Sequence, residues 1–138
     1  MFQNPFHERS SETLASVLNN APASIIVCSA KSRALLYANE RACKLFIKED
    51  YRPGITCYEA AGHVKPCPFC QYEEQNSLEF TVRNHMEPVT RRIYQISSKM
   101  IDWEGEPAYI EYIVDVTEDQ TKTERYRNRS EELDRTLC

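Results

Sequence analysis

The sequence predicts an α+β domain: a five-stranded antiparallel sheet with short helices on one face and a helix at the C-terminal end. Three observations lead there. Residues 24–38 hold two short apolar runs around a polar turn. Residues 50–76 are interrupted by Pro53, Gly54, Gly62, Pro66 and Pro68. Residues 78–116 then change to an alternation of period two. The first pattern is a hairpin, the second permits only short helical turns, and the third is three consecutive strands.

The expected order along the chain follows from local chemistry. Residues 1–10 are polar, contain Pro5, and read as a poorly ordered tail. Ser10 or Ser11 can cap a helix carrying Leu14, Val17 and Leu18, and Asn19-Asn20-Ala21-Pro22 stops it. Ser24 to Ser29 is a buried strand, Ala30 to Arg33 a turn, and Ala34 to Ala38 the returning strand. Asn39 is a good N-cap, with Ala42, Leu45 and Phe46 at helical spacing behind it. Cys67 followed by Pro68 fits an N-cap and first helical position, with Phe69 to Gln75 continuing that helix. In the last part, Leu78, Phe80 and Val82 alternate with Glu79, Thr81 and Arg83. Tyr94, Ile96, Ser98 and Met100 form one face of the next strand. Ala108, Ile110, Tyr112, Val114 and Val116 share a face of the last. The connections between these strands are expected at Asn84 to Pro88, which places His85 in a turn, and at Asp102 to Glu106. Thr117-Glu118-Asp119-Gln120 matches a capping box that opens the final helix, along which Asp119, Thr123, Tyr126, Ser130, Leu133 and Leu137 form a weak coiled-coil seam.

Size and composition bound the function. At 138 residues the chain is one domain, expected over 11–117, with the start of an output helix over 118–138. A hydrophobic fraction of 41% and a charged fraction of 28% are ordinary for a globular protein. The net charge of −4 argues against nucleic acid or an anionic membrane as partner. With no long apolar run and no signal peptide at the start, the expected location is cytoplasmic, with no membrane insertion by this segment. Three glycines in the whole chain leave no phosphate-binding loop, and no nucleophile–base pair can be placed, so an enzyme is disfavoured.

The six cysteines differ in context. Cys28 and Cys43 sit in apolar surroundings and read as small buried hydrophobes; Cys138 ends the chain. Cys57, Cys67 and Cys70 instead cluster with His63 in the spacing C-x5-H-x3-C-x2-C. Three thiolates and an imidazole suit a tetrahedral zinc site, and thiolates alone suit an iron–sulfur cluster. Cys67-Pro-Phe-Cys70 is also similar to the C-P-[YH]-C sites of glutaredoxins, and a thiol at a helix N-terminus favours its thiolate, so Cys67 and Cys70 are a candidate redox pair. Plain packing of the loop is the third reading.

The whole order resembles a PAS domain. Asn20-Ala21-Pro22, Leu36-Tyr37-Ala38-Asn39-Glu40-Arg41-Ala42, Asp102 to Gly105, and Asp115-Val116-Thr117-Glu118 are similar to that family's motifs, the last to its closing D-[IV]-T-E. Gly54-Ile55-Thr56-Cys57-Tyr58-Glu59 followed by Pro66-Cys67-Pro68-Phe69-Cys70 resembles a subset of PAS domains in bacterial signalling proteins. The resemblance implies a sensory, homodimeric input domain ahead of a histidine kinase, a diguanylate cyclase of cyclic-di-GMP signalling or a transcriptional regulator. It implies sensing through the cysteine loop or through a small molecule in the cleft, where Ile26, Phe46, Phe80, Tyr94 and Tyr112 are expected to face inward. Asp115 and Thr117 would pass the change to the output helix. The alternative is a passive dimerisation module. Flavin is disfavoured because Pro66 and Pro68 stand where the light-sensing N-C-R-F-L-Q motif has Asn and Arg; haem is disfavoured because residues 69–77 hold no His.

Overall fold

A computed structural model describes residues 10–66 and 78–119. The elements are α1 (Ser11–Asn19), β1 (Ser24–Ser29), β2 (Leu35–Ala38), α2 (Glu40–Leu45), α3 (Cys57–Ala60), β3 (Thr81–Met86), β4 (Ile93–Trp103) and β5 (Glu106–Asp115). The five strands form one antiparallel sheet in the order β2-β1-β5-β4-β3. Architecture and strand count are those the sequence predicts.

Capping accounts for the helix starts. The Ser10 hydroxyl accepts from Thr13 N–H, Asn39 from Ala42 N–H, and Thr56 from Glu59 N–H. Thr56 and Glu59 form a complete capping box, and Arg52 pairs with Glu59 at 2.9 Å. Asn39 does more than cap. It is buried, accepts from Ile25 N–H as well, and donates to the carbonyls of Leu18 and Ala23. One amide thus ties the end of α1 to β1 and α2.

The inner face of the sheet meets α3 and the segments around it. Cys28, Leu35, Ile55, Ala60 and Tyr109 make the core, with Ile26, Ile47, Cys57 and Met100 packed against it. The β4–β5 hairpin turns through Glu104 and Gly105, both at positive φ (49° and 89°), with Trp103 opposite Glu106. This is a two-residue turn whose twist matches the strands it joins.

Several expectations need correction. The strand after residue 78 begins at Thr81, not Leu78, and continues through Met86, so 84–88 is not the connection. The turn lies beyond, where Glu87 N–H donates to Arg92 O and Arg91 takes φ 61°. His85 is therefore in a strand. Phe80 and Tyr112 meet edge to face at 5.7 Å, and Tyr112 alternates with the inward Glu111 and Ile113, so it lies on the outer face. The Lys99 ammonium stands 5.4 Å from the Phe80 ring. Cys43 is exposed rather than buried, because α2 turns only Ala42 fully inward. On α1, Leu14 and Val17 are exposed.

Candidate functional site

The site begins with how Cys57 is held. Beyond β2, Ala34 bridges Thr56, Leu35 N–H donates to Ile55 O and Cys57 N–H to Arg33 O. These bonds bring residues 55–57 alongside the chain leading into β2. The capping box then starts α3 with Cys57 as its first residue. Because Cys28 is the β1 partner of Leu35, the same contacts bring Cys57 over Cys28.

The two thiols and Tyr109 form one group. Tyr109 Oη lies 3.8 Å from Cys57 Sγ. A hydrogen bond from Cys28, then one from Tyr109, hold the Cys57 thiol down at about 7 although burial opposes this. Cys28 moves the opposite way: its bond to Cys57, followed by burial, pushes its pKa well above the ordinary value. Of the pair, Cys28 is the donor and Cys57 the thiol that ionises first. The partner of Cys57 was invisible in the sequence, where Cys28 read as a small hydrophobe. The signal that could have placed Cys57 at a helix start is Thr56-x-x-Glu59, the capping box that the structure reveals.

Cys57 also borders a cavity of about 650 Å3 between the sheet and residues 57–66. Its floor is apolar, with Ile26, Ile96 and Ile113, and Phe46 stands edge to face with Tyr94 at 5.4 Å. Two ionisable groups interrupt that floor. Arg83 from β3 gives one hydrogen bond, Nη1 to Ser98 Oγ at 3.1 Å, and its buried Nε has no partner among the described residues. Glu111 from β5 faces the same space; burial raises its carboxyl pKa, and the Arg83 charge opposes that rise. His85 lines the wall, and the exposed His63 and Lys65 stand at the lip.

At the far end of β5 the chain leaves the sheet through a clasp. Asp115 accepts from Thr117 N–H at 3.0 Å and from its hydroxyl at 2.6 Å, and pairs with Arg92 at 2.7 Å. The Thr117 hydroxyl accepts from Ile93 N–H at 2.8 Å. Residues 117–119 begin a helical turn. Both expected transfer residues therefore fasten the exit of β5 to the start of β4.

Of the expected ligand set, Cys57 and His63 border one cavity, and Cys67 and Cys70 lie outside the described residues. Gln120 and the seam beyond Asp119 lie outside them too. Among the described residues no three His, Cys, Asp or Glu side chains gather as a metal site. No helix there is long and apolar enough to cross a membrane.

No protein-family model matches the chain, and no curated protein does. Solved structures do. The PAS domain of an HTR-like protein from Haloarcula marismortui is 18% identical, with a TM-score of 0.55 over 76% of this chain and 90% of that one. The chain has the PAS fold. An RNA-binding light-oxygen-voltage receptor is 16% identical, with a TM-score of 0.54 over 95% of this chain and 41% of the receptor. In this PAS fold the cavity lies between the inner face of the sheet and the α3 region, and β5 runs from its wall to the clasp.

Proposed function

We propose that this chain is a sensory domain of a bacterial signal-transduction protein, non-catalytic and cytoplasmic. Occupancy of the cavity, or a change at the cysteine loop, alters β5 and through it the helix that starts after Val116. The output would be a histidine kinase, a diguanylate cyclase or a transcriptional regulator, working as a homodimer. One observation carries the reading. Glu111 and Ile113 wall the cavity, and Asp115, next on the same face of the same strand, makes the clasp. A shift that the cavity imposes on β5 therefore reaches Asp115 and Thr117 with no intervening element.

The test is a chimaera in which this domain replaces the sensor of a PAS-gated histidine kinase. Filling the cavity with Ile113→Phe is expected to change autophosphorylation, and adding Asp115→Ala to abolish that change. Equal kinase activity with and without the filled cavity would refute the reading. For the cysteine loop, zinc or an iron–sulfur cluster at Cys57, Cys67 and Cys70 with His63 is the proposed sensor chemistry, and Cys67–Cys70 dithiol exchange the other form of it. Metal analysis of protein purified without oxygen, with free thiols counted on the same sample, separates the two. A passive dimerisation module is the second reading, and the exposed Leu14 and Val17 on α1 favour it. In that case neither substitution moves the kinase.

A further inference from the structure

The ionisable groups around the cavity restrict what can enter it. Arg33, Lys65 and Arg83 carry positive charge there, against the carboxyls of Glu87 and Glu111 and the Cys57 thiol. The six are not equivalent. Lys65 stands exposed at the lip, whereas Arg83 reaches inward from β3 between Ile96 and Ser98. A guanidinium offers five N–H donors. Arg83 uses Nη1 on Ser98, makes no ion pair with a described residue, and leaves Nε buried with no partner among the described residues. A buried donor without an acceptor is costly, and more so on a cation, so the site is incomplete until an anionic acceptor arrives.

Glu111 does not supply that acceptor. It is the β5 partner of Ser98, on the opposite side of β4 from Arg83, and the two charged groups are not in ion-pair contact. Burial favours its neutral form. A carboxyl whose ionisation burial disfavours compensates a guanidinium less than a fully ionised one would. The remaining walls, Ile26, Phe46, Tyr94 and Ile113, suit an apolar or aromatic body rather than a phosphate or a sugar.

We infer that the cavity takes a small organic carboxylate with an apolar body, its carboxylate on Arg83 and its body against the isoleucines and aromatic rings. The inference rests on the cavity being the sensor's ligand site, as proposed above. It adds the ligand class and names Arg83 as the specificity residue.

Calorimetric titration of the full chain with phenylacetate, isovalerate and hexanoate, each beside its own amide, tests this. At least one acid is expected to bind at least tenfold more tightly than its amide. Arg83→Gln should remove that preference, whereas Arg83→Lys, which keeps the charge, should retain part of it. Glu111→Gln, which takes a carboxyl away from the same cavity, should leave acid binding as tight or tighter. Unfolding temperatures of each variant establish that it is folded, and the acid–amide comparison on the native chain needs no variant. Equal binding of acid and amide, or weakening by Glu111→Gln, would overturn the carboxylate assignment and leave a sensor cavity of other specificity. If no acid and no amide binds, the carboxylate assignment falls. The Ile113→Phe chimaera then decides separately whether the cavity signals at all.

Discussion

Asn39→Ala probes the amide that joins α1, β1 and α2. Asn39 is 1% exposed, and its side chain makes four hydrogen bonds of 2.9–3.0 Å. Removing the cap at Ala42 costs about 1 kcal/mol. Leaving Ile25 N–H buried and unpaired costs roughly 1–3 kcal/mol. The carbonyls of Leu18 and Ala23 each lose a donor, at about 0.5–1 kcal/mol apiece. The total is about 3–6 kcal/mol, a large share of the ~5–15 kcal/mol that stabilises an ordinary domain. Asn39→Asp sharpens the argument: it keeps the acceptor for Ile25 and Ala42 but turns an oxygen toward two carbonyls. It should lose about 2 kcal/mol or more. Urea unfolding followed through Trp103, the sole tryptophan, gives the midpoint and slope, and the slope should not change. A loss below about 1 kcal/mol for Asn39→Ala, or an Asp variant as stable as the native chain, would show that Asn39 is only a helix cap.

Three further outcomes are expected. Peptide-resolved alkylation of Cys57 should reach half its maximal rate near pH 7, and Cys28→Ala should move that midpoint upward, because the Cys28 bond is the largest contribution to the lowered value. An unmoved midpoint would exclude the thiol pair. Glu111 has a folded-state pKa above the ordinary 4.5, so the stability that this shift contributes is complete below that value and is lost as pH rises through the raised one. Glu111→Gln should flatten that decline, read as unfolding temperature between about pH 4 and pH 8; parallel profiles would contradict it. Asp115→Ala removes the acceptor of Thr117 N–H, and hydrogen exchange there should quicken at least several-fold while β1 amides hold their rates. Uniform exchange across the sheet would mean that the clasp is not local.

Much of the fold was legible because β1 and β2 are short apolar runs around a turn, β4 and β5 alternate, and α1 and α2 carry their caps in sequence. β3 was misplaced for a physical reason. Its inward residues, Thr81, Arg83 and His85, are more polar than the outward Val82 and Met86. An amphipathic reading therefore turns the strand over and hears His85 as a turn residue. The inversion marks a wall of the cavity, where local rules give way to a site. Cys28 and Cys57 failed to connect for a different reason. They lie in separate elements, and the bridge from Ala34 to Thr56 with the backbone bonds beside it brings them together. The cysteine loop was conspicuous in sequence because its spacing is local.

The order of strands also dictates when this chain can fold. β1 pairs with β5, so a strand made early finds its central neighbour only after Asp115 has been synthesised. Until then β1–β2 and β3–β4 are two separate antiparallel pairs, each with an open edge that another chain can extend. Joining them requires closure of the long intervening segment, a slow step for contacts so distant in sequence. A chain ending before Glu106 lacks the strand that unites the halves, and truncation there should give aggregation-prone fragments rather than a smaller folded domain.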